Sequence, residues 1–140
     1  MPTREHLFKA KRKDNGEWVK GFFSMMTKGA YLNPIENGCY ITTFEKLKNG
    51  EIILSKIFEV IPETVCECTG LTDKNGDEIF EGDIVKAFLN NETLMICSII
   101  FRAGCFWYGN WNFVEFLGKF RNVEAISNIY DNPELLEVKV

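Results

Sequence analysis

The sequence predicts a mainly β fold, all-β or β-rich α+β, arranged as a small antiparallel β-barrel or sheet domain with a short C-terminal helix. Three features predict it. Turn signals recur at short intervals, among them Asp14-Asn15-Gly16, Asn37-Gly38, Asn49-Gly50, Asn75-Gly76 and Gly109-Asn110, and Asn-Gly pairs supply the positive φ that tight hairpins require. The runs between them are short and rich in aromatic and β-branched residues, which suit a half-buried pleat; the chain is 46% hydrophobic and 14% aromatic, with 12 Phe. Long amphipathic helices are absent, which argues against a sheet of alternating strands and helices. At 140 residues the chain suits one domain spanning 1–140, long enough to bury a sizeable core.

Residues 6–12 and 17–26 read as a first hairpin around Asp14-Asn15-Gly16, with Trp18, Phe22 and Phe23 on its second arm. Residues 38–44 and 51–60 read as a second hairpin around Asn49-Gly50. In its second arm both alternating faces are largely apolar (Ile52, Leu54 and Phe58; Ile53 and Ile57), the pattern of a central or sandwiched strand. Residues 64–69 look extended. Further turns at Asp73-Lys74-Asn75-Gly76-Asp77 and Glu81-Gly82-Asp83 bracket Ile79-Phe80, and a strand starts at Ile84. Residues 93–102 form a strong strand, residues 105–117 an aromatic stretch turning at Gly109-Asn110, and residues 121–130 a last strand. Asn132 as cap, Pro133 at the first helical position and Glu134 behind it open the closing helix.

The formal net charge of −4 and pI of about 5.1 weigh against whole-surface attraction to nucleic acid or to an anionic membrane. The charge is uneven, because Arg4, Lys9, Lys11, Arg12, Lys13 and Lys20 crowd the first twenty residues. Such a run suits a solvated strand edge, where Lys and Arg block edge-to-edge aggregation, or a local anion-binding patch. The polar N-terminus has no apolar signal-peptide core, and no apolar stretch approaches the roughly 20 residues of a membrane span. The expected location is the cytoplasm of a bacterial host cell.

Cys39, Cys66, Cys68, Cys97 and Cys105 give an odd count, which fits reduced thiols. Cys66-Glu67-Cys68 places two thiols on one strand face, but a zinc site wants wider spacing and a second ligand pair, and His6 is the sole histidine. No metal or other cofactor is expected. Asp73, Asn75 and Asp77 sit at alternate positions as in a calcium loop, but Glu78 and Ile84 stand where that loop needs Gly and a bidentate Glu. Glu78, Glu81 and Asp83 cluster in sequence, yet exposed turn acids are commoner than catalytic pairs. Neither a nucleophile elbow nor a phosphate-binding glycine loop is present, so no catalytic residue is assigned.

Three segments carry a family resemblance. The run Glu63-Thr64-Val65-Cys66-Glu67-Cys68-Thr69-Gly70-Leu71-Thr72-Asp73-Lys74-Asn75-Gly76-Asp77-Glu78-Ile79-Phe80-Glu81-Gly82-Asp83-Ile84-Val85 resembles the central motif of the YopX-like family, small proteins encoded by phages and prophages. Lys11–Gly21 is similar to that family's N-terminal strand pair, and Ile126-Ser127-Asn128-Ile129-Tyr130-Asp131-Asn132-Pro133-Glu134-Leu135 to its closing motif. Ser127 departs from it, standing where the family often has Gly, and the stretch from Phe106 to Phe116 is unusually aromatic. The resemblance implies a β-rich, barrel-containing domain of phage origin, and no catalytic residue comes with it. Read from the residues, Gly70, Asp73, Asn75, Gly76, Gly82 and Asp83 are a fold motif of turn formers.

The binding candidates are Trp107, Tyr108, Trp111 and Phe113 in the aromatic stretch and Lys9, Lys11, Arg12 and Lys13 in the basic hairpin. Rings left exposed there would anchor a protein partner or stack bases. The first expectation is a non-enzymatic module that binds protein, either itself as a homo-oligomer or a host or phage factor. The alternative is a nucleic-acid-binding barrel whose groove joins the basic hairpin to the aromatic stretch, a reading the acidic pI disfavours. An enzyme with an unfamiliar site ranks last, and no membrane partner is expected.

Overall fold

A computed structural model describes residues 6–28, 36–89, 93–112, 115–116 and 120–137. The chain divides into two compact units, Met1–Glu67 and Cys68–Val140. In the N-terminal unit, β1 (Phe8–Lys11), β2 (Trp18–Lys28), β3 (Glu36–Lys46), β4 (Ile52–Val60) and the start of β5 (Cys66–Thr72) form an antiparallel sheet ordered β4-β3-β2-β1-β5. A 3-10 turn, Pro62–Thr64, leads into β5.

The hairpins close where the turn chemistry asks. Gly16 takes φ 74° and Gly50 φ 88°, while the Asn15 and Asn49 side-chain oxygens accept the backbone N–H groups of Glu17 and Glu51. The core of this unit is Ala10, Ile41 and Val60, with Phe8, Val19, Phe23, Cys39 and Val65 packed against it. Gly21 lies opposite Phe8 in the ladder, and a Cβ on it would run into the Thr42 carbonyl oxygen. That close approach lets β2 lie tight on β3.

The expected barrel does not close among the described residues. The far end of β4 meets the end of β1, where Lys13 N–H donates to the Glu59 carbonyl (2.9 Å) and Ile61 N–H to that of Lys11 (2.8 Å), around a bridge between Arg12 and Val60. From Ile52 to Ile57, however, β4 pairs with β3 alone, so it is an edge strand and not the central one its two apolar faces suggested. Asn37-Gly38, expected as a turn, lies inside β3, with Gly38 opposite Met26. The Asn33-Pro34 and Asn90-Asn91 turns lie outside the described residues.

In the C-terminal unit, the rest of β5 pairs with β6 (Glu78–Phe80). A second antiparallel sheet, ordered β10-β9-β8-β7-β11, contains β7 (Asp83–Leu89), β8 (Thr93–Arg102), β9 (Cys105–Tyr108), β10 (Trp111–Asn112) and β11 (Phe120–Asn128). Its core gathers Ile79, Val85, Ala87, Cys97, Ile99, Tyr108 and Phe116. The expected C-terminal helix is a 3-10 turn, Pro133–Glu137, with Leu135 N–H bonded back to the Asn132 carbonyl at 3.2 Å. Five residues are too few to repay α-helix nucleation.

Candidate functional site

The fold-motif residues sit at turns. Gly70, Gly76 and Gly82 take φ of 85°, 84° and 85°. Asp83 is buried and accepts the Phe80 N–H at 2.9 Å. Asp73 is buried too: Oδ1 accepts the N–H groups of Asn75 (2.9 Å) and Asp77 (3.0 Å), and Oδ2 that of Ala125 (3.1 Å). Burial alone would raise its pKa, but those N–H donors and the Lys74 charge outweigh it and hold the carboxyl below its ordinary value. The loop is a structural joint, and among the described residues no three His, Cys, Asp or Glu side chains gather as a metal-ligand set.

The aromatic stretch splits by face. Tyr108 is fully buried and stacks on Phe116 with ring centroids 4.0 Å apart. Burial pushes its hydroxyl up to about 12, and burial pushes the thiol of Cys97, in the same core, up to about 12. Trp111 packs against this core, half-buried. Trp107, opposite Ile100 in the ladder, turns the other way. Its indole N–H donates to the Arg102 carbonyl (3.1 Å) and the Arg102 guanidinium lies 4.4 Å from the ring centroid. Phe113 lies outside the described residues.

The basic residues are committed within the N-terminal unit. Lys9 and Lys11 lie 4.9 and 5.6 Å from the Trp18 ring centroid. Arg12 stacks on Phe58 at 4.1 Å and grips Asp14 through two bonds of 3.0 and 2.6 Å. That hydrogen bond from Arg12 is the main cause of the lowered Asp14 pKa. Lys13 pairs with Glu59 at 3.2 Å. These four cations therefore belong to one unit and the aromatic stretch to the other.

The feature that sequence reasoning missed is the flank of β4. Ile52, Ile53, Leu54 and Ile57 are 40%, 48%, 63% and 52% exposed, a contiguous apolar strip on a sheet edge. Natural edges are usually blunted by charge, proline or brevity. Here the blunting is confined to Lys56, at a β-bulge between the Phe44–Leu54 and Thr42–Ile57 pairs. Beside the strip, Lys13, Asp14, Ile57, Phe58 and Glu59 line a shallow groove. Such an edge offers main-chain donors and acceptors for an added strand and apolar side chains for affinity. A signal existed in the sequence: Ser55-Lys56 interrupts the apolar run in the way an edge strand does.

The profile of the family described as YopX protein matches residues 7–137. Among solved structures, the chain is similar to the crystal structure of protein EF1440 from Enterococcus faecalis, at 23% identity and a TM-score of 0.56, over 96% of this chain and 99% of that one. At that identity the likeness carries the fold alone. No curated protein matches.

Proposed function

The chain belongs to the YopX protein family, and from that premise we propose that it is a phage- or prophage-encoded, non-catalytic module that associates with protein through the exposed flank of β4. The carrying observation is the strip of Ile52, Ile53, Leu54 and Ile57 on a sheet edge. Apolar side chains held in water at an edge are an unmet opportunity for burial, worth about 25 cal/mol per Å² removed from water. Scattered exposed apolar residues need no explanation, but a contiguous strip does. The partner is a second copy or a phage or host factor in the bacterial cytoplasm.

The test compares wild type with Leu54→Lys and Ile57→Lys. Both side chains are more than half exposed, so circular dichroism should show an intact fold. Light scattering and co-purification should show association in wild type and its loss in the variants. Identical behaviour in all three proteins would discard this reading.

Nucleic-acid binding is the second reading, favoured by Lys9 and Lys11 flanking Trp18. It predicts salt-sensitive binding of short single strands that Lys9→Glu abolishes. Binding that Lys9→Glu leaves unchanged would count against it.

A further inference from the structure

We propose that the occupant of the β4 flank is a second copy of the same strand, paired antiparallel about a two-fold axis through Ile53. The inference rests on the proposed function and names its partner.

The backbone directions of β4 set the register. On the β3 side, the Glu51 carbonyl accepts the Leu47 N–H (2.7 Å), and the Lys56 N–H and carbonyl both meet Thr43 Oγ1 (3.1 and 3.3 Å). On the opposite side, the Glu59 carbonyl and the Ile61 N–H reach Lys13 and Lys11. Backbone groups alternate sides along a strand, and a bulge shifts the alternation by one. With the bulge between Leu54 and Ile57, the N–H and carbonyl groups of Ile52 and Leu54 point away from β3. Among the described residues no strand takes them up.

Two copies of this edge satisfy each other in one arrangement. Ile52 of one copy faces Leu54 of the other, twice, each pair exchanging two main-chain hydrogen bonds. Ile53 faces its own counterpart on the axis, as a pair without main-chain hydrogen bonds. Every position from 52 to 54 then sets an apolar side chain against an apolar one.

The charges also match. One step outward, Glu51 of each copy lies opposite the Ser55-Lys56 bulge of the other, giving two opposite-charge pairs at the ends of the apolar strip. A register shifted by two residues, centred on Leu54 or Ser55, would set Lys56 against Ile52 or Leu54 instead. The pairing also closes: once the two edges meet, neither offers an edge on that side, so the product is a dimer and not a fibre.

The experiment is cysteine cross-linking of the full chain under mild oxidation, with wild type and its own five cysteines as control. Facing Cα atoms in a pair without main-chain bonds lie about 4.5 Å apart, within disulfide reach. Ile53→Cys should give a covalent dimer. Ile52→Cys and Leu54→Cys should cross-link when mixed but not alone. Lys56→Glu should weaken the dimer roughly tenfold or more, and adding Glu51→Lys should restore it.

If wild type dimerises and Leu54→Lys abolishes the dimer, yet Ile53→Cys does not cross-link, this register is wrong and the proposed function stands. If wild type is monomeric and binds another protein through Leu54, the second copy is wrong and the flank remains the site. If Leu54→Lys and wild type behave alike in every assay, both readings fall.

Discussion

The Asp73 carboxylate accepts the backbone N–H of Ala125, 52 residues away, at 3.1 Å. One buried side chain thus joins the turn between β5 and β6 to β11. The Lys74 N–H repeats the link by donating to the Val123 carbonyl at 2.9 Å, and Lys74 and Lys86 both lie 3.5 Å from the Glu124 carboxylate. The turn residues of the family motif therefore act at long range as well as locally.

Asp73 makes stability depend on acid. Its folded pKa lies below the unfolded value, so its contribution is complete above the unfolded pKa of about 3.9 and is lost as pH falls through the folded one. Urea unfolding between neutral and acid pH should show this loss in wild type. Asp73→Asn should cost about 1.5–3 kcal/mol at neutral pH, because an amide cannot accept all three N–H groups. It should also flatten the acid limb. An unchanged slope would mean another carboxylate governs the transition.

The alkaline limb has different owners. Burial raises both Cys97 and Tyr108 to about 12, from 9.0 and 10.0. A raised folded pKa keeps the proton on the native state longer than on the unfolded chain. Stability is therefore complete below the unfolded pKa values and falls as pH climbs through them toward the folded ones. Cys97→Val and Tyr108→Phe should each make the pH dependence above 9.0 shallower. Native-state alkylation should spare Cys97, since both burial and a protonated thiol oppose reaction. Rapid labelling of Cys97 at neutral pH would contradict its placement.

Gly21 is a packing requirement. Its missing side chain leaves room for the Thr42 carbonyl oxygen, and backbone cannot swing aside as a flexible side chain can. Gly21→Ala should cost about 1–3 kcal/mol or more in chemical unfolding. Gly76→Ala is the comparison: nothing lies near its added Cβ, and the cost there comes from φ 84° alone. Equal stability of Gly21→Ala and wild type would mean that β2 and β3 separate easily.

What was legible in the sequence was local chemistry. Asn15-Gly16 and Asn49-Gly50 encode their hairpins through side-chain acceptors and positive φ, which needs no knowledge of the rest of the chain. Period-two alternation likewise separates Tyr108 from Trp107. The place of β4 was not legible, because an apolar residue on both faces reads the same whether a sheet covers it or solvent does. Ile53 and Leu54 look like core in sequence and are exposed in the structure. Asn37-Gly38 failed for the converse reason: pairing with β2 overrides a turn preference worth little beside a strand ladder. The basic run misled by composition, since Arg12 and Lys13 are spent on Asp14 and Glu59. The C-terminal Pro-Glu pattern marked a helix start but not its length.

The two tryptophans on either side of Gly109 should respond differently to truncation. Trp111 packs on the cluster of Tyr108 and Phe116, so Trp111→Ala opens a hole in the core and should cost about 2–4 kcal/mol. Trp107 faces away from that cluster and holds Arg102 by stacking and one hydrogen bond. Trp107→Ala should cost nearer 1 kcal/mol, the range of a cation–π contact together with a neutral hydrogen bond. Urea denaturation of the two variants measures the difference directly. A larger loss at Trp107 would place its ring in a buried contact, and would remove it from the residues available to any partner.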